Sequence, residues 1–235
     1  METAYLEDDK FKRYDILTNV AEKKILSQAR HLNIDEFSYE GRYKYNIIYY
    51  DTPEGLLTNT GILLYKTWEK GKYYFVIQRR SILPSTSKLK RNEIYRHQIK
   101  HSDTPYMHSF YLINGITSMF STQFSIDLEY VIKNVRPKII ANIKTIVYRA
   151  FNGTGFKSNL YFEDVVYSNT LTRQQRKNKE LTIELLAPKS FLPAYKNFIK
   201  LLEKYCKDIF PKKETHYEYA NRITQSFIKK NDNKK

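Results

Sequence analysis

Apolar residues in this chain recur mostly at every second position, in runs separated by short stretches of turn chemistry. The clearest group covers residues 49–80. Asp51-Thr52-Pro53 and Lys70-Gly71 divide it into runs rich in Tyr, Ile, Val and Phe, which predicts strand, turn, strand, hairpin, strand, with a short helical turn over 54–59. A two-residue turn at Lys70-Gly71 sets Trp68 opposite Tyr73, Lys66 opposite Phe75 and Leu64 opposite Ile77. These six share an apolar face expected to pack on helices. The other face holds Tyr65, Thr67, Tyr74, Val76, Gln78 and Arg80.

The flanking pattern extends the sheet. Residues 10–17 and 43–50 read as strands, as do 89–99 after a Ser/Thr/Pro loop, and 139–151 with 158–167 around the turn Asn152-Gly153-Thr154-Gly155. Residues 168–179 read as a polar loop whose Arg173, Arg176, Lys177 and Lys179 are a solvated cluster. Residues 180–186 alternate cleanly, so Glu180, Thr182 and Glu184 share one face and Leu181, Ile183 and Leu185 the other. Helical spacing marks four stretches. Asn19 and Glu22 form a capping box before Ala21, Ile25, Ala29 and Leu32, which fall on one face together with Leu17; the others are 104–120, 128–135 and 191–206.

Composition adds a partner class and a compartment. The 235 residues carry 40 Lys and Arg against 25 Asp and Glu, a net charge of +15 that calls for a polyanion: a phosphorylated small molecule, polyphosphate, nucleic acid or a membrane surface. The same surplus is also what a Lys- and Asn-rich surface gives without any ligand. Cys206 is the one cysteine, which excludes a disulfide and a cysteine zinc site, and the five histidines show no metal-ligand spacing. No run approaches the ~18 apolar residues of a membrane span, and 1–15 has no signal-peptide core. The expectation is a cytoplasmic protein with one domain over 1–228 and a disordered basic tail over 229–235, its oligomeric state open.

The order Tyr49-Tyr50-Asp51-Thr52-Pro53, Leu56-Leu57, Gly61-Ile62-Leu63-Leu64 and hairpin resembles the CYTH, or triphosphate tunnel, superfamily, which includes the polyphosphate polymerase domains of vacuolar transporter chaperones. The resemblance implies an α+β fold: a closed antiparallel barrel of about eight strands with helices packed outside. It also implies a lumen of acids holding Mg2+ or Mn2+ and of cations aimed at phosphates. Its first-strand Glu-x-Glu-x-Lys falls on Lys10, Lys12 and Tyr14, so both acids are missing; a second frame over 20–24 recovers Glu22 and Lys24 but conflicts with the helical pattern there. Arg-x-Arg falls on Tyr65 and Thr67, and a later Lys on Gln78.

On that resemblance the metal candidates are Glu93, Glu163, Glu180 and Glu184. Lys10, Lys12, Arg80, Arg91, Lys144 and Arg149 are expected to bind substrate, and Lys144 and Glu163 to serve catalysis. Arg91 and Glu93 fit a basic edge strand equally well, and Glu180 with Glu184 fits an exposed strand face. Glu180 and Glu184 are expected to converge with Glu163 or Glu93, and Lys144 and Arg91 to share the lumen. Two functions follow: metal-dependent triphosphate or polyphosphate hydrolysis, and non-catalytic binding of a phosphorylated ligand or nucleic acid on the same scaffold.

Overall fold

The computed structural model describes residues 11–17, 19–30, 32, 34–69, 71–79, 94–119, 127–212 and 216–225. In chain order the elements are β1 (Phe11–Ile16), α1 (Glu22–Ala29), β2 (Glu36–Asp51), α2 (Leu56–Asn59), β3 (Ile62–Glu69), β4 (Lys72–Arg79) and β5 (Ile94–Ile99). A 3-10 turn at Pro105–His108 leads into α3 (Ser109–Met119), followed by α4 (Leu128–Asn134), β6 (Arg136–Phe151), β7 (Lys157–Asn169) and β8 (Gln175–Leu185). The chain continues through α5 (Leu192–Tyr205), β9 (Ile209–Pro211) and α6 (His216–Gln225).

All nine strands join one antiparallel sheet in the order β5-β4-β3-β2-β6-β7-β8-β1-β9. Among the described residues β5 pairs only with β4 and β9 only with β1, so hydrogen bonds do not close the sheet into the expected barrel. The three-residue β9 is too short to carry a second full ladder, and among the described residues the sheet keeps two edges.

Alternation along each strand assigns its two faces. The hairpin register is the one that the Lys70-Gly71 turn demands, with Leu64 opposite Ile77, Lys66 opposite Phe75 and Trp68 opposite Tyr73. Leu64, Phe75 and Ile77 pack with Leu112 and Ile116 of α3 and Val131 of α4, so one helical layer covers this end of the sheet. A second layer lies on the same face at the other end, where Ile25 and Ala29 of α1 and Tyr195, Phe198 and Leu202 of α5 meet Tyr14, Leu160, Leu181 and Ile183. Cys206 is core filler here, and burial pushes its thiol up to about 11. The opposite face receives α6: Tyr217 and Ala220 pack with Ile47, Tyr49, Tyr65, Val76, Ile139, Ile143 and Tyr167.

Several sequence expectations shift. β2 begins at Glu36 rather than 43, because Gly41, at φ +144, lets the strand pass a bulge and stay paired with β6. The basic residues Arg176, Lys177 and Lys179 lie on β8 and not in a loop. Residues 22–29 are helical, which removes the alternative strand frame at 20–24, although Ala21 caps α1 without a side-chain bond and Leu17 is exposed. Lys10, Arg80, Arg91, Glu93 and the tail 229–235 lie outside the described residues. Among those described, no helix is long and apolar enough to cross a membrane.

The packing sets an expectation for stability. Leu64→Ala, in the layer under α3 and α4, should cost about 2–5 kcal/mol, whereas Leu186→Ala, at an exposed site, should stay within about 0.5 kcal/mol. Urea unfolding followed by circular dichroism distinguishes the two.

Candidate functional site

Each strand delivers its odd or even residues to the α6 face as a set. β1 contributes Phe11, Arg13 and Asp15; β8 contributes Asn178, Glu180, Thr182 and Glu184; β7 contributes Tyr161, Glu163 and Tyr167. Glu180 stands at the centre, fully buried. Arg13 Nη2 donates to its Oε2 at 2.6 Å, and Lys212 Nζ to its Oε1 at 2.7 Å. Tyr167 Oη at 2.5 Å and Asn178 Nδ2 at 3.1 Å also donate to Oε1. Asp15 completes the group, accepting from Asn178 at 2.7 Å and pairing with Lys212 at 3.2 Å. Lys212 follows β9 directly and lies 3.9 Å from the ring centroid of Tyr219 on α6, so the same ammonium ties the sheet to the helix.

The other acids of this face are held by neutral donors. Glu163, opposite Glu180 in register, accepts from Tyr45 at 2.9 Å and from Thr182 at 3.2 Å. Glu184 lies four residues farther along β8, about 13 Å away at strand rise, and accepts from Tyr161 at 2.5 Å. Register therefore sets Glu163 beside Glu180, with its carboxylate on Thr182, while Glu184 lies farther along the strand. Arg149 shares this face near Asn159 and pairs with Glu40 at 2.9 Å.

A divalent metal fits this donor set poorly. Hard cations bind carboxylate oxygens that face them, and both oxygens of Glu180 already face a cationic side chain. Bringing a dication there means displacing Arg13 or Lys212 against like-charge repulsion in a dry site. Among the described residues no three His, Cys, Asp or Glu side chains gather in a group able to hold a metal ion.

Two expected ligands fall on the other face. Lys12 alternates with Arg13, sits on the side of Tyr14 and Ile16, and is exposed; a frame one residue away hands the α6 face Phe11, Arg13 and Asp15 instead. Lys144 pairs with Asp164, whereas Glu163 pairs with Thr145, so the expected catalytic pair Lys144 and Glu163 is not brought together.

Lys144 instead belongs to a window between the two helical layers. β2 and β6, at 16 residues each, outrun the helices that cover their ends. Register places Lys44, Lys144, Asp164 and Lys179 side by side across β2, β6, β7 and β8. The next row holds Asn46, Asn142, Val166 and Lys177. Both rows line an open groove of about 770 Å3. Like charges directly opposite, as at Lys44 and Lys144, destabilise a sheet.

No family model matches the sequence, and no curated protein does. Solved structures do. HpAC1 from Hippeastrum, described with a dominant triphosphatase activity, aligns with a TM-score of 0.51 at 10% identity over 90% of this chain and 94% of that one. The protein bh2851 of Bacillus halodurans aligns at 0.46 with 12% identity, covering 91% and 97%. PH1819 from Pyrococcus horikoshii OT3 aligns at 0.45 with 12% identity, covering 91% and 99%. The chain shares its fold with HpAC1.

Arg13, Asp15, Tyr167 and Asn178 were not among the site residues expected from the sequence, whereas Lys212 lies in the stretch Pro211-Lys212-Lys213 that resembles the superfamily's C-terminal motif. Alternation of β1, β7 and β8 is the signal that could have flagged the first four; the partner of Lys212, Glu180, is 32 residues away and is not marked by any local pattern.

Glu180→Gln leaves Arg13 and Lys212 short of a buried counter-charge and should cost about 3–5 kcal/mol, while Arg13→Met with Glu180→Leu should recover much of that. Denaturant titration of the three proteins measures it. Burial, reinforced by the Glu180 charge, holds the Tyr167 hydroxyl well above 10; burial and the Glu184 bond do the same for Tyr161. Both phenols are raised relative to the unfolded chain, so their contribution is complete below pH 10 and is lost as pH climbs above it. The melting temperature should fall steeply above pH 10, and Tyr167→Phe should flatten that fall.

Proposed function

We propose that this protein binds a phosphate-bearing ligand on a triphosphatase-like scaffold, without needing a metal to hold it. The observation that carries the reading is the division of charge between the two faces. On the α6 face Glu180 and Asp15 are matched by Arg13 and Lys212, and Glu163 and Glu184 by hydroxyl donors, while Lys44, Lys144 and Lys177 have no ion-pair partner within 4 Å among the described residues. Uncompensated ammonium groups in a concave, partly shielded groove attract polyanions strongly and act as point-charge phosphate ligands.

Metal-dependent hydrolysis of a triphosphate is the second reading. The fold shared with HpAC1 and the adjacency of Glu163 and Glu180 favour it. Mg2+ or Mn2+ would then have to displace Arg13 or Lys212.

Calorimetric titration with inorganic tripolyphosphate separates the readings. Binding should persist in EDTA and weaken about tenfold or more in Lys44→Ala/Lys144→Ala, with no phosphate released on adding Mg2+ or Mn2+. Binding that requires the metal, accompanied by turnover, supports the hydrolase instead.

A further inference from the structure

The window extends beyond its first two rows. A second hollow of about 580 Å3 shares Lys44, Lys144, Asp164 and Lys179 with the groove and adds Arg42 and Glu22. The combined surface is lined by five cations, Arg42, Lys44, Lys144, Lys177 and Lys179, and three acids, Glu22, Asp164 and Glu163, the last of them buried with its side chain on the α6 face. Arg42 lies two rows and three strands from Lys177, a diagonal of about 20 Å at ordinary strand rise and spacing. Three linked phosphates do not span that distance.

The remaining groups in the groove are also informative. Asn46 and Asn142 face each other across β2 and β6, offering amide donors and acceptors between the lysines. Tyr73, half-buried, lines the groove toward β4, its ring also in edge contact with His101 at 4.7 Å between centroids and 5.7 Å from Lys66 Nζ. Cations along a track, amides between them and an aromatic ring at one end are what a single nucleic-acid strand needs: phosphate neutralisation, hydrogen bonds to base edges and a stacking surface. A plain phosphate chain uses only the first.

We infer that the window on the sheet face opposite α6 binds single-stranded nucleic acid, its phosphodiesters running from Arg42 past Lys44 and Lys144 to Lys177. This rests on the reading of the window as an anion site and names its ligand. The strand crosses the exposed middle of β2, β6, β7 and β8, flanked by the α1/α5 layer on one side and the α3/α4 layer on the other. Juxtaposing Lys44 and Lys144 is unfavourable in the free protein and becomes favourable once phosphate lies between them.

The test uses fluorescence anisotropy of labelled 12-residue oligo-U and oligo-dT, on the full chain at 50 and 200 mM KCl. A parallel calorimetric titration uses tripolyphosphate and long-chain polyphosphate. Wild type should bind an oligonucleotide with an affinity that falls as salt rises. Lys44→Ala/Lys144→Ala should weaken it about tenfold or more and reduce the logarithmic salt slope by about 1.4, since each phosphate contact on a single strand contributes about 0.7. Lys133→Ala, in an exposed pair on α4, should leave it unchanged. Thermal melts check that the double variant is folded, and Tyr73→Leu provides a charge-neutral variant that should weaken the oligonucleotides but not tripolyphosphate. Tripolyphosphate binding with no oligonucleotide binding overturns this inference and leaves the anion site standing; no binding of either overturns both. Tighter capture of long-chain polyphosphate than of oligonucleotides of equal charge, or oligonucleotide binding unchanged in the double variant, also overturns it.

Discussion

Glu180 is the constraint around which this structure is arranged. A carboxylate with no solvent exposure is stable only when its charge and lone pairs are matched. Matching it draws in Arg13 from the first strand, Asn178 from its own strand, Tyr167 from the next, and Lys212 from the segment after β9. Arg13 is 167 residues from Glu180 in sequence, so the network fixes the register of β1 on β8 and draws in the segment that leads to α6. Apolar burial supplies most of the favourable free energy of folding; the buried charges specify which strand lies beside which.

The same network decides what the α6 face can do. Its acids are engaged by Arg13, Lys212 and by tyrosine and threonine hydroxyls, and its remaining area is filled by Tyr49, Tyr65, Val76 and Ile143 against Tyr217 and Ala220. On the opposite face the two helical layers leave the middle of the long strands open. There the sheet carries lysines in adjacent positions that outnumber the acids beside them, with Asp164 between Lys144 and Lys179. A polyanion approaching the window therefore meets more cations than acids, whereas the α6 face carries Glu163 and Glu184 on neutral donors and is packed against Tyr217 and Ala220.

Much of the fold was legible because strand alternation is a local signal. The hairpin register at Leu64 and Ile77, the β6 and β7 pair around Asn152 to Gly155, and the shared face of Glu180, Thr182 and Glu184 all follow from a two-residue period and a turn. The site was less legible. One residue of phase on β1 separates Lys12 from Arg13 and exchanges an exposed lysine for the partner of Glu180; short strands without strong alternation do not fix that phase. Lys144 illustrates the same sensitivity: its side of β6 is set by which residue faces Glu163, and that residue is Thr145. Closure of the sheet, and the gap between helical layers, depend on helix lengths and edge pairing that no local pattern encodes.

The central claim is that Glu180 is occupied by the protein's own cations. Titrating isotopically labelled wild-type protein with Mn2+ and following amide resonances tests it most directly, because a bound paramagnetic ion broadens nuclei around it. The account predicts that the amides of Arg13, Glu163, Glu180 and Lys212 keep their intensity as Mn2+ passes one equivalent. Selective loss of those four signals at substoichiometric Mn2+ would contradict it.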